Sequence, residues 1–165
     1  MKLYRGKRVF NRESMTRGEA SVVVQDVISE GPAGRGPTTE AGHGDACPLT
    51  HVPYHSPDGF QWGYLGSGPA DLALAILADH FDEPPELVLA ALCSLWAPRS
   101  KAAALHQSFK ERFVAIEQRD EWELHSDDIE TWLQTSSIRT RLCELARENA
   151  ELTEIGGSTC RPPRC

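Results

Sequence analysis

No stretch of this chain is apolar for long enough to cross a bilayer as a helix. Its two apolar runs, Leu72–Leu77 and Leu87–Trp96, fall far short of the ~20 residues that a spanning helix needs. They are expected as core helices, and no membrane contact is expected. The first 12 residues carry charge but lack the apolar segment of a secretory signal. Paired cysteines are lacking too. The five present, Cys47, Cys93, Cys143, Cys160 and Cys165, are odd in number and form no C-x2-C pair. Free thiols in a reducing cytoplasm are therefore expected. No internal repeat is visible.

Positive charge is also scarce, with 17 Lys and Arg against 24 Asp and Glu, for a net −7. It is unevenly placed. Residues 1–20 hold Lys2, Arg5, Lys7, Arg8, Arg12 and Arg17 against Glu13 and Glu19. This basic arm is +4, so the remainder is −11. An acidic body repels a phosphate backbone, so nucleic acid is not an expected partner except through the arm. The commoner meaning of such an arm is a solvated edge strand guarded by Lys and Arg.

What is present is a globular composition, 40% apolar and 25% charged, on a chain long enough for one domain with a real core. Lys2–Phe10 alternates as a strand with a Tyr4/Phe10 face, and Val22–Ile28 reads as a second strand. A hairpin loop joins them over Asn11–Glu19. Gly31–Pro48 is Gly/Pro/Thr/Ala-rich and reads as a mobile loop without core residues. In His55–Gly68, Phe60, Trp62 and Tyr64 alternate at strand spacing, so an extended segment would set all three on one face.

Several helices are then expected. Ala70–Phe81 is apolar all round and belongs inside the domain, with Gly68 as N-cap, Pro69 at N1 and Asp71 at N3. Asp82 would cap Glu83–Trp96, and Ser100 would cap Lys101–Gln118 with its stripe Ala102, Leu105, Phe109, Phe113 and Ile116. Trp122 and Leu124 suggest a short third strand. Ser126 would cap a helix with Ile129, Trp132 and Leu133 on one face. Ile138–Leu152 is the last helix. The expected fold class is α+β, a small antiparallel sheet packed against a mostly helical core. Residues 1–137 form the domain, 138–155 a C-terminal helix and 156–165 a disordered tail.

YRG at Tyr4–Gly6, HSPDGFQWGYLGSGPADLALAIL at His55–Leu77 and HQSFK at His106–Lys110, with the Trp122 strand and the Ile129–Leu133 helix, resemble a family of small prokaryotic and mobile-element domains of unknown function. Against that family, Gly31–Thr50 and Glu83–Ala103 look like insertions and Ile138–Cys165 an extension. The resemblance implies no activity, and suggests at most an accessory module of a mobile genetic element.

Four places could bind something. Gly66, Ser67, Gly68 and Pro69 open a helix, where free N–H groups attract anions. No phosphate-loop Lys follows, Pro69 removes one donor and Asp71 can fold back on another, so a structural cap is the commoner meaning. His55 with Asp58, Trp62 and Tyr64 could be acid–base machinery or a stacking platform; a Pro57-Asp58-Gly59 turn covered by aromatics explains the same residues. His43, Cys47, His51 and His55 recur every four residues like zinc ligands on one helix, but Pro48 and Pro53 forbid that helix. Ile138, Leu142, Leu145, Asn149 and Leu152 form a two-heptad seam with Asn149 at an a position. A dimer through 138–152 is one reading, and a monomer with this helix packed on its own domain is favoured. The expectation is a non-catalytic interaction module without cofactors and with a protein partner. The alternative is a small-molecule or nucleotide-binding protein, even an enzyme, that uses His55–Asp71.

Overall fold

The computed structural model describes residues 1–11, 16–27 and 45–157. Strands β1 (Lys2–Asn11) and β2 (Thr16–Asp26) form an antiparallel hairpin with Tyr4 opposite Val24 and Gly6 opposite Val22. The two-residue β3 (Cys47–Pro48) pairs with β2, and β4 (Glu121–His125) pairs with β1. The sheet order is β3-β2-β1-β4, antiparallel throughout. With helices α1 (Ser67–His80), α2 (Pro85–Cys93), α3 (Lys101–Phe109), α4 (Ser126–Leu133) and α5 (Ser136–Gly157), the class is α+β.

This order corrects the edge-strand expectation for the basic arm. β1 lies inside the sheet, hydrogen-bonded on both sides. Its cations are matched locally. Arg5 Nε meets Glu123 at 2.7 Å and Lys7 Nζ meets Glu121 at 2.8 Å, both across the β1–β4 ladder. Lys2 Nζ reaches Asp79 at 3.1 Å. Arg8 is buried on the inner face, bonded to Asp120 and stacked 4.7 Å from the Trp62 ring. The glutamates of β4 thus turn the outer sheet face into cross-strand ion pairs.

α1 is the centre of the core, buried without a break from Gly68 to Ala78. Its apolar faces meet the inner side of the sheet, α3 and the segment before it. Gly6 is required here. A Cβ at that position would overlap the indole of Trp122, which lies across it from β4.

Several helix boundaries differ from expectation for identifiable reasons. α1 starts two residues early, with Gly66 rather than Gly68 as N-cap. Asp82 does not cap α2; it takes φ 53° in the turn between the helices. α2 follows Pro84 and stops at Cys93, where Ser94 is already extended. Glu83 instead serves α3, accepting from the Ser100 hydroxyl (2.6 Å) and the Lys101 and Ala102 N–H groups (2.9 and 3.1 Å). Ser100 caps α3 as expected, accepting from Ala103 N–H at 2.9 Å. Beyond Phe109 the helix widens into a π-helical turn, Lys110–Val114, so Ile116 leaves the apolar stripe and is exposed. Ser126 turns away from its helix and accepts from the Lys2 N–H.

The expected seam on α5 faces the chain itself. Ile138 and Leu145 are buried, and Asn149 accepts from Arg99 N–H (2.6 Å) and donates to Arg99 C=O (3.0 Å). Residues 31–44 of the expected mobile loop and 158–165 of the expected tail lie outside the described residues.

Candidate functional site

A charge inside a core is costly unless hydrogen bonds replace its water. Asp71 is such a charge, fully buried in α1. Its carboxylate does not fold back on its own helix. It accepts from the backbone N–H groups of His55 (2.8 Å), Ser56 (2.9 Å) and Tyr54 (3.3 Å), and His51 Nε2 stands 3.3 Å away. One carboxylate therefore holds residues 51–56 against α1, and this determines where His55 points.

His55 points at His106 of α3, Nε2 to Nε2 at 3.1 Å. His106 Nδ1 lies 2.7 Å from the Ala103 carbonyl, an acceptor only, so Nδ1 carries the proton. Burial, the largest influence, pushes the His106 pKa below its ordinary value, which favours the neutral ring. Its single Nε2 lone pair is then shared between His55 Nε2–H at 3.1 Å and the Gln107 amide at 2.8 Å. The edge of Tyr54 closes over His55, ring centroids 4.8 Å apart. The arrangement can pass or share a proton between two imidazoles. Sequence reasoning missed His106 and Gln107 as partners of His55. The available signal was their presence in the third motif, HQSFK.

The aromatic segment is not a strand, which corrects the one-face expectation. Gly59 and Gly63 take φ of 86° and 84° and turn the chain at each, a conformation open to glycine. Phe60 and Trp62 are buried, whereas Tyr64 is exposed. Trp62 donates Nε1–H to Arg119 C=O at 2.8 Å and meets Trp122 edge-on at 5.7 Å. Tyr64 covers Gly66, where a Cβ would overlap its ring, and a Cβ at Gly68 would crowd Gln61. Ser67 is exposed at the start of α1, and Asp58 is exposed on the preceding turn. His55, Asp58 and Tyr64 therefore face three different surroundings.

The structure separates the expected metal ligands. Cys47 is exposed on β3, His51 faces Asp71 and His55 faces His106. His43 lies outside the described residues. Among the described residues, no three His, Cys, Asp or Glu side chains gather as a metal-holding group. The intervening chain is irregular, as Pro48 and Pro53 demand.

The model of a family of unknown function (DUF6166) matches residues 32–84 and 82–135. The two matches join where the chain leaves α1, and they leave out β1, β2 and α5. No curated protein and no solved structure matches the chain.

Proposed function

The chain belongs to this family of unknown function, and we propose that it is a non-catalytic interaction module that grips a protein partner through Leu95 and Trp96. One observation carries the reading. Leu95 and Trp96 are adjacent, and they are 78% and 81% exposed. Exposed large apolar side chains in a cluster mark contact surfaces, and Trp is the commonest anchor of binding energy. The local structure holds the pair out. α2 ends before them, Ser94 is extended, and its hydroxyl accepts from Trp96 N–H at 3.2 Å.

Beside this knob lies a cavity of about 320 Å³ lined by Leu92, Leu95, Ala103, Ala104 and Leu145. Its polar edge is internally matched, Arg99 to Glu148 at 3.2 Å and Arg141 to Glu148 at 3.3 Å. The surface suits a partner that offers a pocket for Trp96 and an apolar side chain for the groove. A role as accessory factor of a mobile element is the finer form of this proposal, and it rests on the motif resemblance.

A photo-crosslinking residue at position 95, expressed in the native host, tests the reading. A discrete adduct is expected there and not from the same residue at the exposed Glu151. The partner, purified, should bind the wild-type chain at least about tenfold tighter than Trp96→Ala, the size of one anchor residue. Equal adducts at positions 95 and 151, or equal affinities, would overturn it.

A further inference from the structure

The ladder between β1 and β4 leaves the far side of β4 unpaired. Arg8 N–H donates to Asp120 C=O at 2.8 Å at one end of the pair, and Lys2 N–H donates to Ser126 Oγ at 3.0 Å at the other. Bonded and non-bonded positions alternate along an antiparallel pair. Between those ends, Gly6 with Trp122 and Tyr4 with Leu124 are therefore the bonded positions. The main-chain N–H and C=O groups of Glu121 and Glu123 consequently point away from β1. β4 is the outermost strand of the sheet, and among the described residues no hydrogen bond answers these groups.

Such an edge is a template for another strand, and proteins commonly guard it with lysine, proline or a bulge. β4 carries none of these. Its glutamates are spent on the outer face, Glu123 on Arg5 at 2.7 Å and Glu121 on Lys7 at 2.8 Å. Beside the edge lies a cavity of about 240 Å³, where Glu123 and Leu124 meet Arg112, Phe113 and Ile116. Ile116 is 62% exposed. Arg112 is exposed and has no carboxylate partner among the described residues; its guanidinium rests 5.5 Å from the Phe113 ring. Arg112 and Phe113 belong to the π-helical turn Lys110–Val114, and such turns are frequent at functional sites.

We infer that the outer edge of β4 takes up an extended segment of a protein partner, which sets an apolar side chain in this cavity and a carboxylate two residues away on Arg112. Strand addition of this kind draws affinity from main-chain hydrogen bonds and specificity from pockets for alternate side chains. Side chains two residues apart share a face, so both anchors lie on the cavity side, away from Glu121 and Glu123. A cavity of roughly 150 Å³ already admits a benzene ring, so this one has room for an aliphatic side chain. An unpaired guanidinium favours a carboxylate through charge-assisted hydrogen bonds. A second copy is a poorer occupant, because β4 against β4 would set glutamate opposite glutamate. The cavity shares no lining residue with the groove beside Leu95 and Trp96, so either proposal can fail alone.

Amide hydrogen exchange of the ¹⁵N-labelled full chain reads this edge residue by residue. Without a partner, the N–H groups of Trp122 and Leu124 should exchange slowly and those of Glu121 and Glu123 rapidly. Random linear peptides displayed on phage, selected on the Trp96→Ala chain so that the other surface does not compete, supply the probe. A selected peptide, made synthetically, should slow exchange at Glu121 and Glu123 of the wild-type chain. Arg112→Gln, at an exposed position, should weaken that peptide about tenfold, the worth of one charged hydrogen bond. It should leave unchanged the binding of the same peptide with its acidic residue replaced by the amide. The inference is overturned if no peptide is selected, if the selected peptides leave Glu121 and Glu123 exchanging as before, or if Arg112→Gln weakens both peptide forms equally. Slow exchange of these two amides without peptide also overturns it. The occupant is then a second copy where protection rises with protein concentration, and a segment of the chain itself where it does not.

Discussion

His55 and His106 meet Nε2 to Nε2 at 3.1 Å, which joins two motifs that are far apart in the chain. The contact works with one proton between the rings, because His106 spends its other N–H on Ala103 C=O. Protonating His106 while His55 keeps its Nε2–H would set two N–H groups against each other.

A pH dependence follows from that geometry. The His106 pKa is lowered in the folded chain, mainly by burial, so the unfolded chain takes up this proton at a higher pH than the folded one. Stability therefore rises with pH across the window. The His106 contribution is complete above the ordinary His value near 6.5 and is lost as pH falls toward the lowered value. Thermal melts of wild type should fall between about pH 7 and 5. His106→Gln should show a shallower fall, and an equal slope in both would count against the assignment.

Asp71→Ala should destabilise the domain by about 3 kcal/mol or more, because three backbone N–H groups lose their acceptor. Asp71→Asn retains one carbonyl oxygen and should cost less. Urea unfolding of the two variants gives the comparison. A loss under about 1 kcal/mol for alanine would show that water replaces the carboxylate there.

Gly6→Ala places a methyl group where the Trp122 indole lies. Overpacking of this kind costs about 1–3 kcal/mol. Pairing it with Trp122→Leu should recover part of the loss, since the smaller side chain vacates the space. Strictly additive losses in the double variant would mean that the indole is not the obstacle.

Leu145 is 2% exposed on α5. Leu145→Asp buries a charge without a partner and should lower the melting temperature by the equivalent of several kcal/mol. Light scattering should give the same monomer mass for both proteins. A wild-type dimer that this change splits, with the body still folded, would place the seam between chains.

Much of the fold was legible because the signals were local. α1 announced itself by an apolar run without a polar face, and burial from Gly68 to Ala78 follows from that composition. The Trp122 strand and the Ser100 cap were legible in the same way. The segment before α1 was misleading. Phe60, Trp62 and Tyr64 alternate like a strand, but Gly59 and Gly63 take positive φ on either side of Trp62, and periodicity carries no record of φ. The widening of α3 into a π-helical turn has no composition cue either.

The sequence by itself determined most of the helices, the Lys2 and Trp122 strands and which helix lies inside, and no helix among the described residues is long and apolar enough to cross a membrane, because propensity and apolar spacing act over a few residues at a time. Tertiary structure decided the rest. It placed β1 inside the sheet by bringing β4 to its free edge, and so paired Arg5 and Lys7 with Glu123 and Glu121. It gave Asp71 to the backbone of residues 54–56, joined His55 to His106, and set the Trp122 indole over Gly6. These are pairings between distant residues. They depend on how the elements dock, where burial makes each unsatisfied charge or donor costly and selects the partner that the local sequence cannot name.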